Sequence, residues 1–298
     1  MLKKLFSLFA ALTLCAGLWA QTTPAGAGTK ENPYQITSYE DLKWFSAQVN
    51  QGGDNVYLCA KLMNDIQGSL KRTDGTAFTD VLTPIGRSNA GGEFCGDFDG
   101  NGHIIRDMMV GSINPAPANI GLIGKMIAGS RVHHVGLVDC SFAGSSYVGC
   151  LCGDFADGEI DHCFVQGCTI MYTAHTVGGL VGSCFTYARL HDCYCSCAMT
   201  KFGLAGDTSY EIGALCGASN ATIINCYGEV KESVPSAAIG RTYGTPTTKN
   251  VAMKQPAAFA SGEVCYLLNG GVADGSQAWY QTLGTDTYPT WDKNHGTV

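Results

Sequence analysis

The residues between Asp97 and Asn101 carry the oxygen pattern of a calcium-binding loop. Asp97, Asp99 and Asn101 are spaced two apart, and Gly102 follows them. Oxygens at this spacing can converge on Ca²⁺, and the glycine permits the loop to bend. A complete loop of this kind ends in a bidentate glutamate at its twelfth position, where this chain has Met108. We therefore interpret the segment as a turn, which Asp, Asn and Gly all favour, and keep calcium as the alternative.

Histidines and carboxylates recur at two neighbouring positions of an internal repeat. One position holds His134, His162, Asp192 and Asn225, and the next holds His133, Asp161 and His191. If the repeats stack, these side chains lie at successive levels, where imidazoles and carboxylates can bind zinc. The favoured interpretation is a corner of the chain, because Asn, Asp and His adopt positive φ more readily than most residues.

A glycan-cleaving enzyme would need an acidic pair, or a calcium cluster, together with a basic residue on one face. The acidic candidates are Asp154, Asp157, Glu159 and Asp161, and the nearby bases are Arg131 and Arg189. These acids fall in an expected bend, where solvated carboxylates are the default. The chain contains no H-E-x-x-H, G-x-S-x-G or specific phosphate-binding glycine loop, so the sequence predicts no catalytic residue.

Four aromatic residues near the C-terminus could form a platform for sugar rings. They are Trp279, Tyr280, Tyr288 and Trp291. Large aromatic side chains contribute most when they are buried, so a role in a core or a cap is the favoured interpretation.

Glycine-rich repeats organise the elements that carry these residues. The repeats occupy 120–124, 148–153, 177–182 and 212–217. Each is followed by two apolar residues three apart: Val132 and Val135, Ile160 and Cys163, Leu190 and Cys193, Ile223 and Cys226. A step of two keeps side chains on one face of a strand, and a step of three marks a corner after which the chain resumes that face. The pattern predicts an all-β fold, a parallel β-solenoid of about seven coils.

The same pattern predicts the register of the first complete coil. Ile105 and Met108 are also three apart, so we expect them to align with Val132 and Val135. Segment 97–103 would then be the bend that leads into this corner.

The chain contains 15 cysteines, which in an exported protein would ordinarily indicate disulfides. Cys163, Cys193 and Cys226 instead share one repeat position with Val135 and Met108, as small apolar core residues do. We expect mostly buried free thiols, with one or two bridges among Cys150, Cys152, Cys184 and Cys216.

The glycine repeats, each followed by an apolar residue and a cysteine three positions later, resemble the GLUG-motif repeats of secreted surface proteins of gut Bacteroidetes. Segments 31–36 and 94–103 resemble the entry segment and first coil of those proteins. Segments 262–269, 279–284 and 292–295 resemble their C-terminal module. The resemblance implies a right-handed β-helix in a surface or adhesin-like context, and it implies no catalytic residue.

The N-terminus has the layout of a secretory signal peptide. Lys3 and Lys4 precede an apolar run over 5–14, and small residues end at Ala20. The sequence predicts export to the cell surface or medium with cleavage near Ala20. Lipidation of Cys15 is the less favoured alternative.

The expected organisation has four parts: a leader at 1–20, an entry segment at 21–55, the solenoid at 56–260 and a C-terminal cap at 261–298. In the entry segment, Ser38 is expected to cap a helix over 39–50. Its Leu42, Phe45 and Val49 would then pack on the first coil.

The formal net charge is −7, without a basic patch, which disfavours nucleic acid and anionic membranes as partners. No segment after the leader reaches the ~20 apolar residues that a membrane span needs. The sequence favours a non-catalytic, adhesin-like binding module for glycan or a host surface protein. A polysaccharide-degrading β-helix enzyme and a passive spacer are the alternatives.

Overall fold

The computed structural model describes residues 23–69, 80–87, 91–202, 211–272 and 277–298. The predicted leader lies outside these residues, and so do Cys15 and the expected cleavage point near Ala20. Within the described residues, no helix combines the length and apolar character that crossing a bilayer requires.

Strands are the most frequent elements of the described chain, and helices lie near its two ends. The strands are β1 Tyr34–Ile36, β2 Ala60–Leu62, β3 Ile66–Gln67, β4 Asp97–Arg106, β5 Met109–Gly111, β6 Ile123–Met126, β7 Arg131–Val138, β8 Ser141–Gly144, β9 Cys152–Asp161, β10 Phe164–Tyr172, β11 Val177–Gly178, β12 Val181–Lys201, β13 Ile212–Gly213, β14 Cys216–Ser219, β15 Thr222–Glu229, β16 Ile239–Thr242 and β17 Thr247–Lys254. The helices are α1 Tyr39–Val49, α2 Pro256–Ala260 and α3 Glu263–Leu268, with a 3-10 helix at Gly53–Tyr57.

These strands stack as a parallel β-solenoid of about seven turns, which confirms the predicted fold class. Along one face the hydrogen-bonded order is β1, β2, β4, β7, β9, β12, β15 and β17, and every pairing in it is parallel. The sheet therefore begins at β1, within the segment expected to be only an entry to the solenoid. Inward side chains from successive turns meet in one continuous apolar core.

The corners that follow this face were correctly predicted from residue type. Val132, Ile160, Leu190 and Ile223 lie in register on adjacent turns. The residues at the predicted corner position all have left-handed backbone: His134 at φ 50°, His162 at 48°, Asp192 at 53° and Asn225 at 55°. Asn, Asp and His tolerate this region better than most residues, so the repeat places them where the chain must bend.

The predicted register of Ile105 was wrong by one corner. Ile105 pairs with Leu137, and Phe98 pairs with Val132. Ile105 and Met108 therefore flank the second corner of their turn, not the first. Ile105 and Met108, like Leu137 and Cys140 of the next turn, show at the second corner the same step of three that marks the first, so spacing alone does not distinguish the two corners.

Cysteines fill inward positions of the solenoid. All 14 cysteines in the described residues are buried free thiols, so the bridges suggested among Cys150, Cys152, Cys184 and Cys216 are not formed there. Burial raises the pKa of the Cys152 and Cys184 thiols well above the ordinary value. These thiols stay protonated and act as small apolar core groups.

The glycine repeats form close-packed turns where backbones of adjacent coils approach each other. At the start of three of these repeats, parallel β-bridges join Ile120 to Val148 and Val148 to Val177. A Cβ added at Gly178 would overlap the carbonyl oxygen of Val181 and lie 2.7 Å from the Cα of Cys216. The repeated glycines are therefore required by packing between coils.

This packing predicts the cost of a single methyl group. Gly178→Ala should lower the free energy of unfolding by about 1–3 kcal/mol, because its Cβ meets backbone atoms that have no room to move. Gly92→Ala is the matched control, since its nearest neighbour would be the Asn50 Cα at 3.3 Å. Urea unfolding of both variants would give the comparison, and equal losses would contradict the proposed packing role.

Helix α1 closes the N-terminal end of the core. The side chain of Ser38 accepts a hydrogen bond from the Asp41 amide, as predicted for the N-cap. Leu42, Phe45 and Val49 are fully buried, and the Phe45 ring contacts those of two aromatic residues of the first turns, Phe94 and Phe98.

The C-terminal segment, residues 256–298, packs along the side of the solenoid. Phe164, Tyr194 and Tyr227 form an outward column on adjacent turns. A second apolar cluster joins this column to Phe259 and Trp279 of the segment. An outward face of the solenoid is thus covered by its own chain.

Candidate functional site

Acidic and basic side chains alternate along one outer face of the solenoid. Residues two apart on a strand point to the same side, so two columns run across β2, β4, β7, β9 and β12. One column is Asp97, Arg131, Glu159 and Arg189, and the other is Lys61, Asp99, His133, Asp161 and His191. We call these nine residues the charged face.

Asp161 is the most deeply buried group of the charged face. Its side chain is 1% exposed, and Nε and a terminal nitrogen of Arg131 both lie 2.9 Å from its Oδ2. Nδ1 of His162 lies 2.8 Å from the other oxygen. Burial opposes ionisation, but the hydrogen bonds from His162 and Arg131 lower the pKa of Asp161 to about 2. Asp161 is therefore a fixed carboxylate that anchors Arg131.

His191 joins two turns through both of its ring nitrogens. Nδ1 lies 2.7 Å from Asp192 Oδ2, and Nε2 lies 2.9 Å from Glu159 Oε1. The hydrogen bond to Asp192 outweighs burial and, together with that to Glu159, raises the pKa of His191 to about 9. At neutral pH this side chain is an imidazolium that donates to two carboxylates.

These contacts bear on zinc binding, the less favoured alternative for the stacked histidines and carboxylates. Ligand atoms of Glu159, Asp161 and His191 lie within 4.8 Å of one another, which is close enough for one metal ion. A metal there would require His191 to lose its proton and Arg131 to leave Asp161. The zinc hypothesis thus competes with an ion-pair network that already satisfies the same atoms.

The residues of segment 97–101, for which a calcium loop was the alternative to a turn, contact neighbouring turns. His133 lies 3.0 Å from an oxygen of Asp97 and 3.6 Å from one of Asp99. Asp99 also pairs with Lys61 at 2.9 Å and accepts a hydrogen bond from the Asn101 amide at 2.7 Å. Asn101 has φ 52° and donates to a backbone carbonyl of the preceding turn. Asp97 and Asp99 therefore lie on a strand, and only 100–102 forms the bend.

The charged face contributes to two adjoining grooves of ≈480 and ≈450 Å³. They share Lys30, Cys59, Asp97 and Arg131. In the larger groove, which we call the tyrosine groove, the lining also includes Tyr57, Gly129, Asp157, Glu159, Tyr187 and Arg189.

Two tyrosines mark the ends of the tyrosine groove. Tyr57 is 63% exposed and Tyr187 is 74% exposed. The lining residues Tyr57, Cys95, Gly129, Asp157 and Tyr187 come from five successive turns, those of β2, β4, β7, β9 and β12. At about 4.8 Å per turn, the backbones that carry the two rings are separated by roughly 19 Å along the solenoid axis.

Two of the acids that an enzyme could use lie on a strand and not in the expected bend. Glu159 and Asp161 lie at the end of strand β9, in register with Arg189 and His191 of β12. They are paired with basic side chains and are not solvated in a bend. The expected bend lies just before them, at Gly158 with φ 108°.

The aromatic residues near the C-terminus lie in the packing between the C-terminal segment and the solenoid. Trp279 is fully buried and its ring lies 5.6 Å from that of Tyr194. Trp291 and Tyr288 are half-buried, and the Tyr288 hydroxyl lies 3.0 Å from a carboxylate oxygen of Glu229. Tyr280 is also half-buried and pairs with Thr290 through the backbone. This placement corresponds to the core or cap role, and it leaves Trp279 no surface for a ligand.

Sequence reasoning missed Tyr57, Tyr187 and the outward aromatic column. Phe164, Tyr194 and Tyr227 each follow an inward cysteine directly, so alternation along the strand places them outside. Large aromatic residues repeated at an outward position indicate a covered face, and that signal was present in the sequence. The exposure of Tyr57 and Tyr187 depends on the depth of the groove between turns, which spacing does not predict.

Histidines with opposite pKa shifts predict a stability maximum. The imidazole of His134 stacks on that of His162 at 4.9 Å. Burial, and then repulsion from His162 and His133, lowers its pKa. The contribution of His134 to stability is therefore present above the ordinary histidine pKa of about 6.5, and it is lost as the pH falls. The pKa of His191 is raised, so its effect on stability runs in the opposite direction. The contribution of His191 to stability is complete below about pH 6.5 and is lost as the pH rises through about 9.

We therefore expect the free energy of unfolding to be greatest near pH 6.5. Urea unfolding between pH 5 and pH 9, run on the protein and on two variants, would measure this. His191→Gln should flatten the alkaline decline, and His134→Gln should flatten the acid decline. A variant that changes the other limb instead would contradict the assignment.

Two known proteins resemble this chain in part. Halomucin from Haloquadratum walsbyi is 27% identical over 159 residues, which are 53% of this chain and 2% of halomucin. The solved structure of a putative immunoglobulin A1 protease from Bacteroides ovatus superposes with a TM-score of 0.45 at 16% identity, covering 90% of this chain and 94% of the other. No family model matches the chain. The chain thus corresponds to only a small part of the length of halomucin.

Proposed function

We propose that the chain is an exported binding module displayed at the cell surface and that its tyrosine groove takes a glycan. The observation that carries this proposal is the pair of exposed rings, Tyr57 and Tyr187, at the ends of a charged groove floor. Both rings are more than half exposed, and large exposed aromatic side chains lining a concave surface are a common feature of binding sites.

The chemistry of the groove suits a sugar. Sugar hydroxyls both donate and accept hydrogen bonds, and the groove offers acceptors on Asp157 and Glu159 together with donors on Arg131 and Arg189. A tyrosine combines an apolar ring face with a polar hydroxyl, so it can pack on the C–H face of a pyranose. The groove therefore presents partners for both surfaces of a sugar ring.

Two further features support display and binding. The N-terminal signal-peptide pattern favours export, and the repeats resemble GLUG-motif surface proteins. Solenoids also present extended surfaces on which a long ligand can contact several coils.

Glycan cleavage is the second candidate function, because Glu159 and Asp161 lie in a tight cluster with Arg131. An inverting or retaining hydrolase needs one carboxyl that is protonated near neutral pH. The pKa of Asp161 is lowered to about 2, and Glu159 contacts His191 and two arginines. These carboxylates suit binding better than proton donation.

The test is retention of labelled plant and mucin-type glycans on an array, with calcium and with a chelator, followed by mass analysis of the bound sugars. We expect intact sugars to be retained by the protein and lost with Tyr187→Ala. Tyr266→Ala is the matched control, because Tyr266 is an exposed tyrosine on α3, outside the groove. Shortened sugars would favour the enzyme, and retention only with calcium would support the Asp97 loop. The absence of all binding would refute the glycan proposal and favour a host-protein ligand or a spacer.

A further inference from the structure

The charges that line the tyrosine groove cancel. Its cationic side chains are Lys30, Arg131 and Arg189, and its anionic ones are Asp97, Asp157 and Glu159. The two signs alternate from turn to turn along the column from Asp97 to Arg189. A ligand that lies across several turns therefore meets both signs in equal number.

Several of these side chains keep hydrogen-bonding capacity for a ligand. The Arg189 side chain is 62% exposed, and its contact with Glu159 is a long one of 3.8 Å. Asp157 accepts a hydrogen bond from the Gly158 amide and has no ion pair within the part of the chain that the structure describes. Arg131, by contrast, is held by Asp161 and has less freedom to follow a ligand. The groove thus offers donors and acceptors side by side, with Arg131 as a fixed point between them.

A carboxylated or sulfated sugar would fit this lining poorly. Each negative group placed near Arg131 or Arg189 would also lie near Glu159, which is between them on the column. The formal net charge of the chain, −7, adds a long-range repulsion for anions. A neutral sugar avoids both penalties, because its hydroxyls can pair with either sign.

The direction of the ligand follows from the two rings. The turns that carry Tyr57 and Tyr187 lie roughly 19 Å apart along the axis, with the alternating charges between them. A ligand that contacts both rings must run along the axis, across the strands, and must contain several sugar units.

We infer that the ligand is a neutral, hydroxyl-rich oligosaccharide that lies along the solenoid axis, with Tyr57 and Tyr187 stacking on its two ends. This inference rests on the proposed function of the groove and adds to it the charge, the length and the direction of the ligand.

Isothermal titration calorimetry of the full chain with defined probes tests the inference. The neutral probes are cellohexaose, xylohexaose and mannohexaose with their trisaccharides, and the acidic probe is hexagalacturonate. We expect at least one neutral hexasaccharide to bind and its trisaccharide to bind more weakly. Tyr57→Ala and Tyr187→Ala should each weaken the hexasaccharide about five- to tenfold, while Tyr266→Ala leaves it unchanged.

The outcomes separate this inference from the proposed function. Tightest binding of hexagalacturonate, lost with Tyr187→Ala, would overturn the neutral ligand but keep the groove as a glycan site. Equal affinity for trisaccharide and hexasaccharide, or loss with only one tyrosine variant, would overturn the span between the rings. Binding that neither variant changes, or no binding of any probe, would overturn the proposed site itself.

Discussion

Replacing Arg131 with methionine is expected to lower the free energy of unfolding by about 3–5 kcal/mol. The substitution leaves the Asp161 carboxylate, 1% exposed, without the guanidinium that contacts it at 2.9 Å. The hydrogen bond from His162 remains but cannot replace two donors from a permanent cation. A buried charge without its partner is among the few causes of large single-site losses.

Arg189→Met is the matched control for this prediction. Its side chain is largely exposed and its contact with Glu159 is 3.8 Å, so we expect a loss of about 0–1 kcal/mol. Urea unfolding of the two variants at neutral pH gives the comparison. Equal losses would mean that Asp161 is solvated and that the charged face is a set of surface ion pairs.

Trp279→Ala is expected to cost about 3–5 kcal/mol and to loosen the C-terminal segment. Trp279 is fully buried, and its ring contacts those of Phe164, Tyr194 and Trp291. Removal of the indole leaves a cavity between the segment and the solenoid. The variant should therefore be cleaved by trypsin or chymotrypsin after residue 254 faster than the unmodified chain.

Tyr266→Ala serves as the control, since an exposed tyrosine on the neighbouring helix should change stability by less than about 0.5 kcal/mol. Limited proteolysis and urea unfolding together separate release of the segment from unfolding of the solenoid. A Trp279→Ala protein with unchanged stability would show that the indole is not packed, and the sugar-platform hypothesis would regain support.

The corners and core of the solenoid could be predicted from the sequence because each depends on local chemistry. His134 and Asn225 mark bends through their tolerance of positive φ, and Cys163 and Cys193 mark inward positions through their small apolar side chains. The register of Ile105 could not be assigned in this way, because two corners of a turn carry the same spacing. Only the pairing between strands β4 and β7 assigns this register.

The groove could not be predicted from the sequence, because it is formed by turns that are distant in sequence. Tyr57 and Tyr187 are 130 residues apart in the numbering, and only stacking brings them to one surface. The pairing of Arg131 with Asp161 likewise joins adjacent turns, and it gives a buried carboxylate a partly exposed guanidinium as its partner. Alternation along a strand predicts which side chains point outward, but it does not predict which outward surface the C-terminal segment covers.

Hydrogen–deuterium exchange of the full chain, with and without the neutral hexasaccharide that binds most tightly, tests whether the tyrosine groove is the binding site. We expect slower exchange in the groove segments 56–59, 95–97, 129–131, 157–159 and 187–189. Exchange in the C-terminal segment should not change. Slower exchange confined to 279–291, or no change in any of the groove segments, would contradict the assignment of the tyrosine groove as the binding site.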